Sequence, residues 1–134
     1  MSVNRYNTRK HCKFRLYIHL IFVVKYRKKI LKGTVSDTLK RALTTIESNS
    51  NFVIDVMEVD KDHLHIMIKI EPQLSVSQYV RRIKQSTTRI LWSEFPALKK
   101  QFWKEKTFWS DGYFVCSVRD ASTDTIRKYI EEQG

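Results

Sequence analysis

From Phe14 to Val24 apolar residues recur at every second position: Phe14, Leu16, Ile18, Leu20, Phe22 and Val24 share one face, and Arg15, Tyr17 and His19 share the other. That period predicts a strand running to about Lys25. Gly33-Thr34 breaks the basic loop that follows. Leu39, Ala42, Leu43 and Ile46 then recur at the spacing of an amphipathic helix, which Ser48-Asn49-Ser50-Asn51 ends. Phe52 to Asp60 and His63 to Ile70 read as two strands around a tight turn at Asp60-Lys61-Asp62. In the second, Leu64, Ile66, Ile68 and Ile70 alternate with His63, His65, Met67 and Lys69. Ser75 and Gln78 have the spacing of a capping box. The helix they open is expected to bury Val76, Val80, Ile83, Thr87 and Ile90 and to turn Arg81, Lys84, Gln85 and Thr88 outward. An aromatic and basic stretch, Gln101 to Trp109, leads through a Ser110-Asp111-Gly112 turn into a strand over Tyr113 to Val118. Ser122 can cap a last helix on which Ile126, Tyr129, Ile130 and Gln133 share a face.

The order strand, helix, strand, strand, helix, strand, helix matches in its first six elements the split βαβ plan. The expected fold class is therefore α+β: a ferredoxin-like (RRM-like) antiparallel sheet with helices on one face and a C-terminal helix carrying Tyr129. Such a sheet leaves its other face open. No repeat or linker interrupts the pattern, so one domain over residues 1–134 is expected. The longest apolar run, Leu16 to Val24, already contains His19 and is far short of the roughly 18 residues of a membrane helix. The polar, basic N-terminus lacks the apolar stretch of a signal peptide. Two cysteines, Cys12 and Cys116, make no disulfide framework. These features predict a cytoplasmic protein with no membrane partner.

Charge changes the picture. Twenty-five Lys and Arg against 14 acidic residues give a net charge of +11, a field that attracts polyanions. The cations cluster at Arg9-Lys10, Lys25 to Lys29, Arg81 to Lys84 and Lys99-Lys100, many beside aromatics, a mixture that suits unpaired bases better than a duplex. Nucleic acid is the partner this composition favours over a merely solvated basic surface. Within these clusters, Lys25, Arg27, Arg81, Arg82 and Lys84 are the candidates for contact with nucleic acid.

His63 and His65 stand at i and i+2 on a strand, so both imidazoles project from one face about 7 Å apart along the chain. Two neutral nitrogens can converge there on one cation, or the pair can be ordinary surface histidines. A third ligand has to come from elsewhere, and no cysteine pair or HExxH supplies it. Tyr129 and Gln133, four apart on a helix, are neighbours on one face. Tyr129 between Ile126 and Ile130 reads equally well as a core residue. Joined to the histidines, the Gln133 carbonyl could complete a metal shell and set the Tyr129 hydroxyl beside the cation, which would polarise a phosphate for attack.

These residues carry a family likeness. His63-Leu64-His65 is the His-hydrophobe-His motif of HUH nucleases, and Tyr129-Ile130-Glu131-Glu132-Gln133 resembles the YIExQ motif of the single-tyrosine transposases, the TnpA proteins of the insertion-sequence-two-hundred-like family. Tyr17 to Phe22 with Lys25-Tyr26-Arg27, Ile83 to Thr87, and Phe108 to Val115 are similar to further landmarks in the same order, so the likeness spans about residues 11 to 133. It implies a DNA transposase that cleaves and rejoins single-stranded DNA at hairpin-marked ends. His63, His65 and Gln133 would hold Mg²⁺ or Mn²⁺, and Tyr129 would be the catalytic nucleophile forming a 5′-phosphotyrosine bond. It also implies a homodimer with composite active sites, the tyrosine helix of one protomer serving the histidines of the other. Where the family usually has a glycine before that helix, this chain has Arg119-Asp120. A non-catalytic nucleic-acid-binding module would account for charge and fold, but it leaves the joint presence of His63, His65, Tyr129 and Gln133 to chance. A nuclease that activates water would not need Tyr129.

Overall fold

The computed structural model describes residues 16–71, 74–102 and 107–117, together with residues 128, 131 and 132. Strands β1 (Leu16–Val23), β2 (Phe52–Asp60), β3 (His63–Ile70) and β4 (Phe114–Ser117) form a sheet in the order β2-β3-β1-β4, each neighbouring pair antiparallel. Helix α1 (Gly33–Ser48) connects β1 to β2, and α2 (Val76–Glu94) followed by the short α3 (Pro96–Lys100) connects β3 to β4. This is the α+β, ferredoxin-like arrangement that the alternation predicts.

The core lies between the sheet and the helices. Ile18, Leu20 and Phe22 of β1 and Leu64, Ile66, Ile68 and Ile70 of β3 meet Leu39, Leu43 and Ile46 of α1 and Tyr79, Val80, Ile83 and Leu91 of α2. Helix α1 starts where Gly33 takes a φ of +60°, a left-handed conformation that glycine adopts without steric cost. Ser75 accepts from the Gln78 backbone N–H while the Gln78 side chain accepts from the Ser75 N–H, so the capping box at α2 forms as expected.

The structure departs from the pattern in several places. Helix α2 buries Val80, Ile83 and Thr87 as expected and also Tyr79, Thr88 and Leu91, whereas Val76 and Ile90 are only half-buried, and Thr88 does not face outward. Its two threonines are admitted to the interior because their hydroxyls are satisfied. Thr87 donates to the Ile83 carbonyl (2.7 Å) and accepts from the Trp109 indole N–H (2.9 Å), and Thr88 accepts from the Phe108 backbone N–H (3.3 Å). Of the aromatic and basic stretch, Phe102, Phe108 and Trp109 belong to the core: they are buried, packed on one another and on Trp92 and Phe22. Helix α3 was not foreseen; Pro96 opens it at a position where a missing N–H costs nothing. Finally, Ile21 and Val23, on the sheet face away from the helices, are fully buried, so that face is not open throughout.

Strand β4 begins at Phe114 rather than Tyr113. Phe14, Arg15, Val118 and the last-helix positions Ser122, Ile126, Tyr129, Ile130 and Gln133 lie outside the described residues. Lys128, Glu131 and Glu132 are helical and exposed.

Candidate active site at the histidine end of the sheet

The alternation of β3 sends Leu64 into the core and His63 and His65 to the opposite face, where their side chains are 17% and 15% exposed. Both rings are held in the same way. His63 Nδ1 donates to Asp62 Oδ1 at 3.0 Å, and His65 Nδ1 donates to Glu58 Oε1 at 3.2 Å. A carboxylate on Nδ1 fixes the tautomer with its lone pair on Nε2, the arrangement found behind metal-ligating histidines. This donor chemistry fits a divalent cation. Among the described residues no group of three or more His, Cys, Asp or Glu could hold a metal ion, so two imidazoles need a further ligand. Gln133, the expected third ligand, lies outside the described residues, as does Tyr129.

Asp62 is the hub. It sits in the turn between β2 and β3, which is held by the N–H groups of Val24 and Leu31 donating to the carbonyls of Asp62 and Lys61. Burial alone would raise the Asp62 carboxyl. The hydrogen bond and charge of His63, with Arg27 at 3.5 Å and Lys29 at 3.9 Å, outweigh it and hold the group below its ordinary value. Arg27 reaches Asp62 from a turn in which Tyr26 and Arg27 both have positive φ, 62° and 49°. Side-chain-bearing residues rarely adopt that conformation, and each costs about 1–2 kcal/mol there. The same guanidinium donates through Nη1 to the Glu131 carbonyl at 3.3 Å. Arg27 thus links the turn that orients His63 to a residue two positions from Tyr129 in sequence.

His19 completes the cluster. The register sets it opposite Met67 and so diagonal to His65 on the same face, with its Nδ1 at 2.7 Å from His65 Nε2. Burial chiefly, and then the neighbouring His65, lower its pKa against the pull of Glu58, which favours the neutral ring. A cleft of about 640 Å³ opens beside these groups, lined by His63, His65, Glu58, Asp60 and Lys40 among others.

The five candidate DNA-binding cations fall in different surroundings. Lys25 is bonded to Asp111 at 3.3 Å, and Arg27 serves Asp62 and Glu131. Arg81 and Arg82 are exposed on α2, across the sheet from the histidines. Lys84, expected to face solvent, is instead half-buried and donates to the carbonyls of Ser110, Asp111 and Gly112 at 2.8, 3.0 and 3.0 Å. Desolvation by burial lowers its pKa more than Asp111 raises it. A second cleft of about 390 Å³ on the helix layer carries Arg89, Trp92 and Lys99 with Gln85.

Glu58, Asp62 and His19 were not singled out in the sequence. For Glu58 and His19 the signal is pairing rather than spacing, since each becomes a neighbour of His65 only once β3 is aligned between β1 and β2; Asp62 precedes His63 directly in the chain.

A model of the family described as IS200-like transposases matches residues 12–133. The chain is 33% identical over 120 residues to the ISDra2 transposase TnpA of Deinococcus radiodurans, covering 90% of this chain and 85% of that protein. It is 30% identical over 127 residues to the transposase for insertion sequence element IS200 of Salmonella typhimurium, covering 95% and 80%. A crystal structure described as a candidate transposase of Deinococcus radiodurans R1 superposes with a TM-score of 0.85 at 31% identity over 95% of this chain and 96% of that one. A REP-associated tyrosine transposase bound to a REP hairpin shares the fold, with a TM-score of 0.56 at 19% identity over 99% and 70%. No helix among the described residues is long and apolar enough to cross a membrane. With a family model matched over nearly its whole length and relatives alike across most of theirs, the chain belongs to the IS200-like transposase family.

Proposed function

We propose that this transposase cleaves and rejoins single-stranded DNA at hairpin-marked ends by nucleophilic attack of Tyr129, with His63, His65 and Gln133 holding Mg²⁺ or Mn²⁺. One observation carries the reading: two imidazoles side by side on β3, each with Nδ1 on a carboxylate and so with its lone pair on Nε2. The contact of Arg27 with the Glu131 carbonyl supports it, because the same guanidinium reaches the Asp62 carboxylate behind His63.

The bound cation supplies Lewis acidity at the scissile phosphate and offsets the charge that develops there. Asp62 and Glu58 keep His63 and His65 in the tautomer that offers Nε2. Arg27 and Lys29 keep Asp62 ionised. The Tyr129 hydroxyl gives up its proton and its oxygen bonds to phosphorus; the P–O3′ bond breaks and the 3′ oxygen leaves, taking a proton to become a free hydroxyl. The reverse attack by a 3′-OH on the phosphotyrosine rejoins a strand, and the stored diester needs no nucleotide cofactor. Exposed cations such as Arg81 and Arg82 hold the DNA backbone, which positions the strand without reading its sequence.

The test is incubation with a labelled single-stranded hairpin oligonucleotide and Mn²⁺, followed by denaturing electrophoresis. A protein–DNA adduct is expected, absent with Tyr129→Phe or a chelator and scarce with duplex. Cleavage that survives Tyr129→Phe would point to hydrolysis by water. Retarded migration on native gels with no cleavage under any condition would point to a binding module.

A further inference from the structure

Two contacts determine where the protons of the His65 ring lie. Glu58 Oε1 is 3.2 Å from Nδ1, and an ionised carboxylate only accepts, so Nδ1 carries the hydrogen. The neutral ring then keeps its lone pair on Nε2. At 2.7 Å from that atom stands His19 Nδ1. Two ring nitrogens at that separation share one proton, and with His65 Nε2 as the acceptor the donor is the Nδ1–H of His19. The rings also pack, with centroids 4.9 Å apart and planes tilted by 34°. His63 has the same carboxylate arrangement on Nδ1, but the diagonal position on β1 that His19 takes beside His65 is, for His63, taken by Ile21, which has no side-chain donor.

We propose that His19 is a positioning residue that guards the metal nitrogen of His65: in the metal-free protein its Nδ1–H occupies the lone pair that a divalent cation takes on binding. This rests on the assignment of His63 and His65 as ligands. The bond holds the His65 ring on its β1 side while the site is empty, which keeps Nε2 from being buried without a partner. Entry of a cation exchanges one N–H···N hydrogen bond for one coordination bond, and His19 turns its donor elsewhere. The two histidines of the motif are therefore not equivalent. His63 offers its nitrogen directly, whereas His65 releases a hydrogen bond first.

Mn²⁺ titrations by calorimetry on the full chain test this with three variants. His19→Phe keeps a ring to pack on His65 but has no donor, and it is expected to bind Mn²⁺ about fivefold more tightly, the worth of one net hydrogen bond. His19→Asn, whose amide nitrogen takes the place of Nδ1, is expected to bind as the wild type does. His65→Ala is expected to lose binding. Unchanged or weaker binding by His19→Phe, with binding lost in His65→Ala, overturns the role of His19 alone. Wild-type binding by His65→Ala removes the ligand assignment and the guard with it. Long-range ¹H–¹⁵N spectra of the metal-free wild type need no variant: His65 must be protonated at Nδ1 and bare at Nε2, and His19 protonated at Nδ1. The opposite tautomer of either ring overturns the proposal.

Discussion

At the scale of single residues the site depends on carboxylates that touch no substrate. Asp62, with a side chain 12% exposed, accepts from His63 and faces Arg27 and Lys29, so replacing it by Asn leaves two cations without their partner and weakens the hold on the His63 tautomer. Loss of such a partner typically costs about 10- to 100-fold in metal affinity or activity, and Asp62→Asn is expected to fall in that range in Mn²⁺ titration and in adduct yield. The same residue gives an acid signature. Its folded pKa lies below the ordinary 3.8, so the stability it contributes is complete well above that value and is lost as pH falls through the lowered folded value. Urea unfolding from pH 6 down to pH 3 should show a drop that is smaller in Asp62→Asn; an identical pH profile in both proteins would contradict the account. His63 and His65 were legible because their spacing alone puts them on one face. His19 was also legible as a residue facing away from the core. What spacing along one strand does not contain is the register, and only pairing Ile21 with His65 brings His19 and His65 together.

At the scale of elements, two stretches that read as separate landmarks form one joint. Ile83 to Thr88 of α2 grips Phe108 to Gly112 through Thr87 on the Trp109 indole, Thr88 on the Phe108 N–H, and Lys84 on three successive carbonyls. This joint sets where β4 starts beside β1. Thr87→Val leaves a buried indole N–H without an acceptor and is expected to lower unfolding free energy by about 1–3 kcal/mol, with Thr87→Ser restoring most of it. Arg81→Ala, one turn and a half away and exposed, is expected to stay within about 0.5 kcal/mol. Denaturant melts of the three variants check both; a neutral Thr87→Val would mean the joint holds nothing. Periodicity located α2 and its cap but misjudged Thr88 and Lys84, because a polar side chain counts as outward in any hydropathy pattern. Their burial depends on partners 20 and 26 residues later in the chain.

At the scale of the whole molecule the net charge of +11 remains the broadest clue to partner, and the structure divides its labour. Lys25, Arg27 and Lys84 are engaged in holding turns and the site, while Arg81 and Arg82 face solvent on the helix layer. If those two meet phosphates, Arg81→Gln with Arg82→Gln should flatten the plot of log affinity against log salt for single-stranded DNA by about 1.4, and Lys25→Gln should change stability more than that slope. The homodimer with composite sites implied by the family likeness is tested by mixing. If the sites are composite, His63→Ala protomers combined with Tyr129→Phe protomers regain adduct formation; persistent inactivity is the outcome expected if each tyrosine serves the histidines of its own chain, the arrangement to which the contact between Arg27 and Glu131 within one chain points. The overall plan was readable because alternation and helical spacing are local properties. The meeting of His19 with His65 was not, because it depends on two strands distant in sequence being paired in one register.

The central claim, that a tyrosine served by the histidine pair takes up the DNA, is met most directly by proteolysis and mass spectrometry of the protein after reaction with a single-stranded hairpin and Mn²⁺. The account predicts a nucleotide mass on the peptide containing Tyr129, absent in His63→Ala and His65→Ala proteins. The same mass on another tyrosine, or cleaved DNA with no modified peptide, would contradict it.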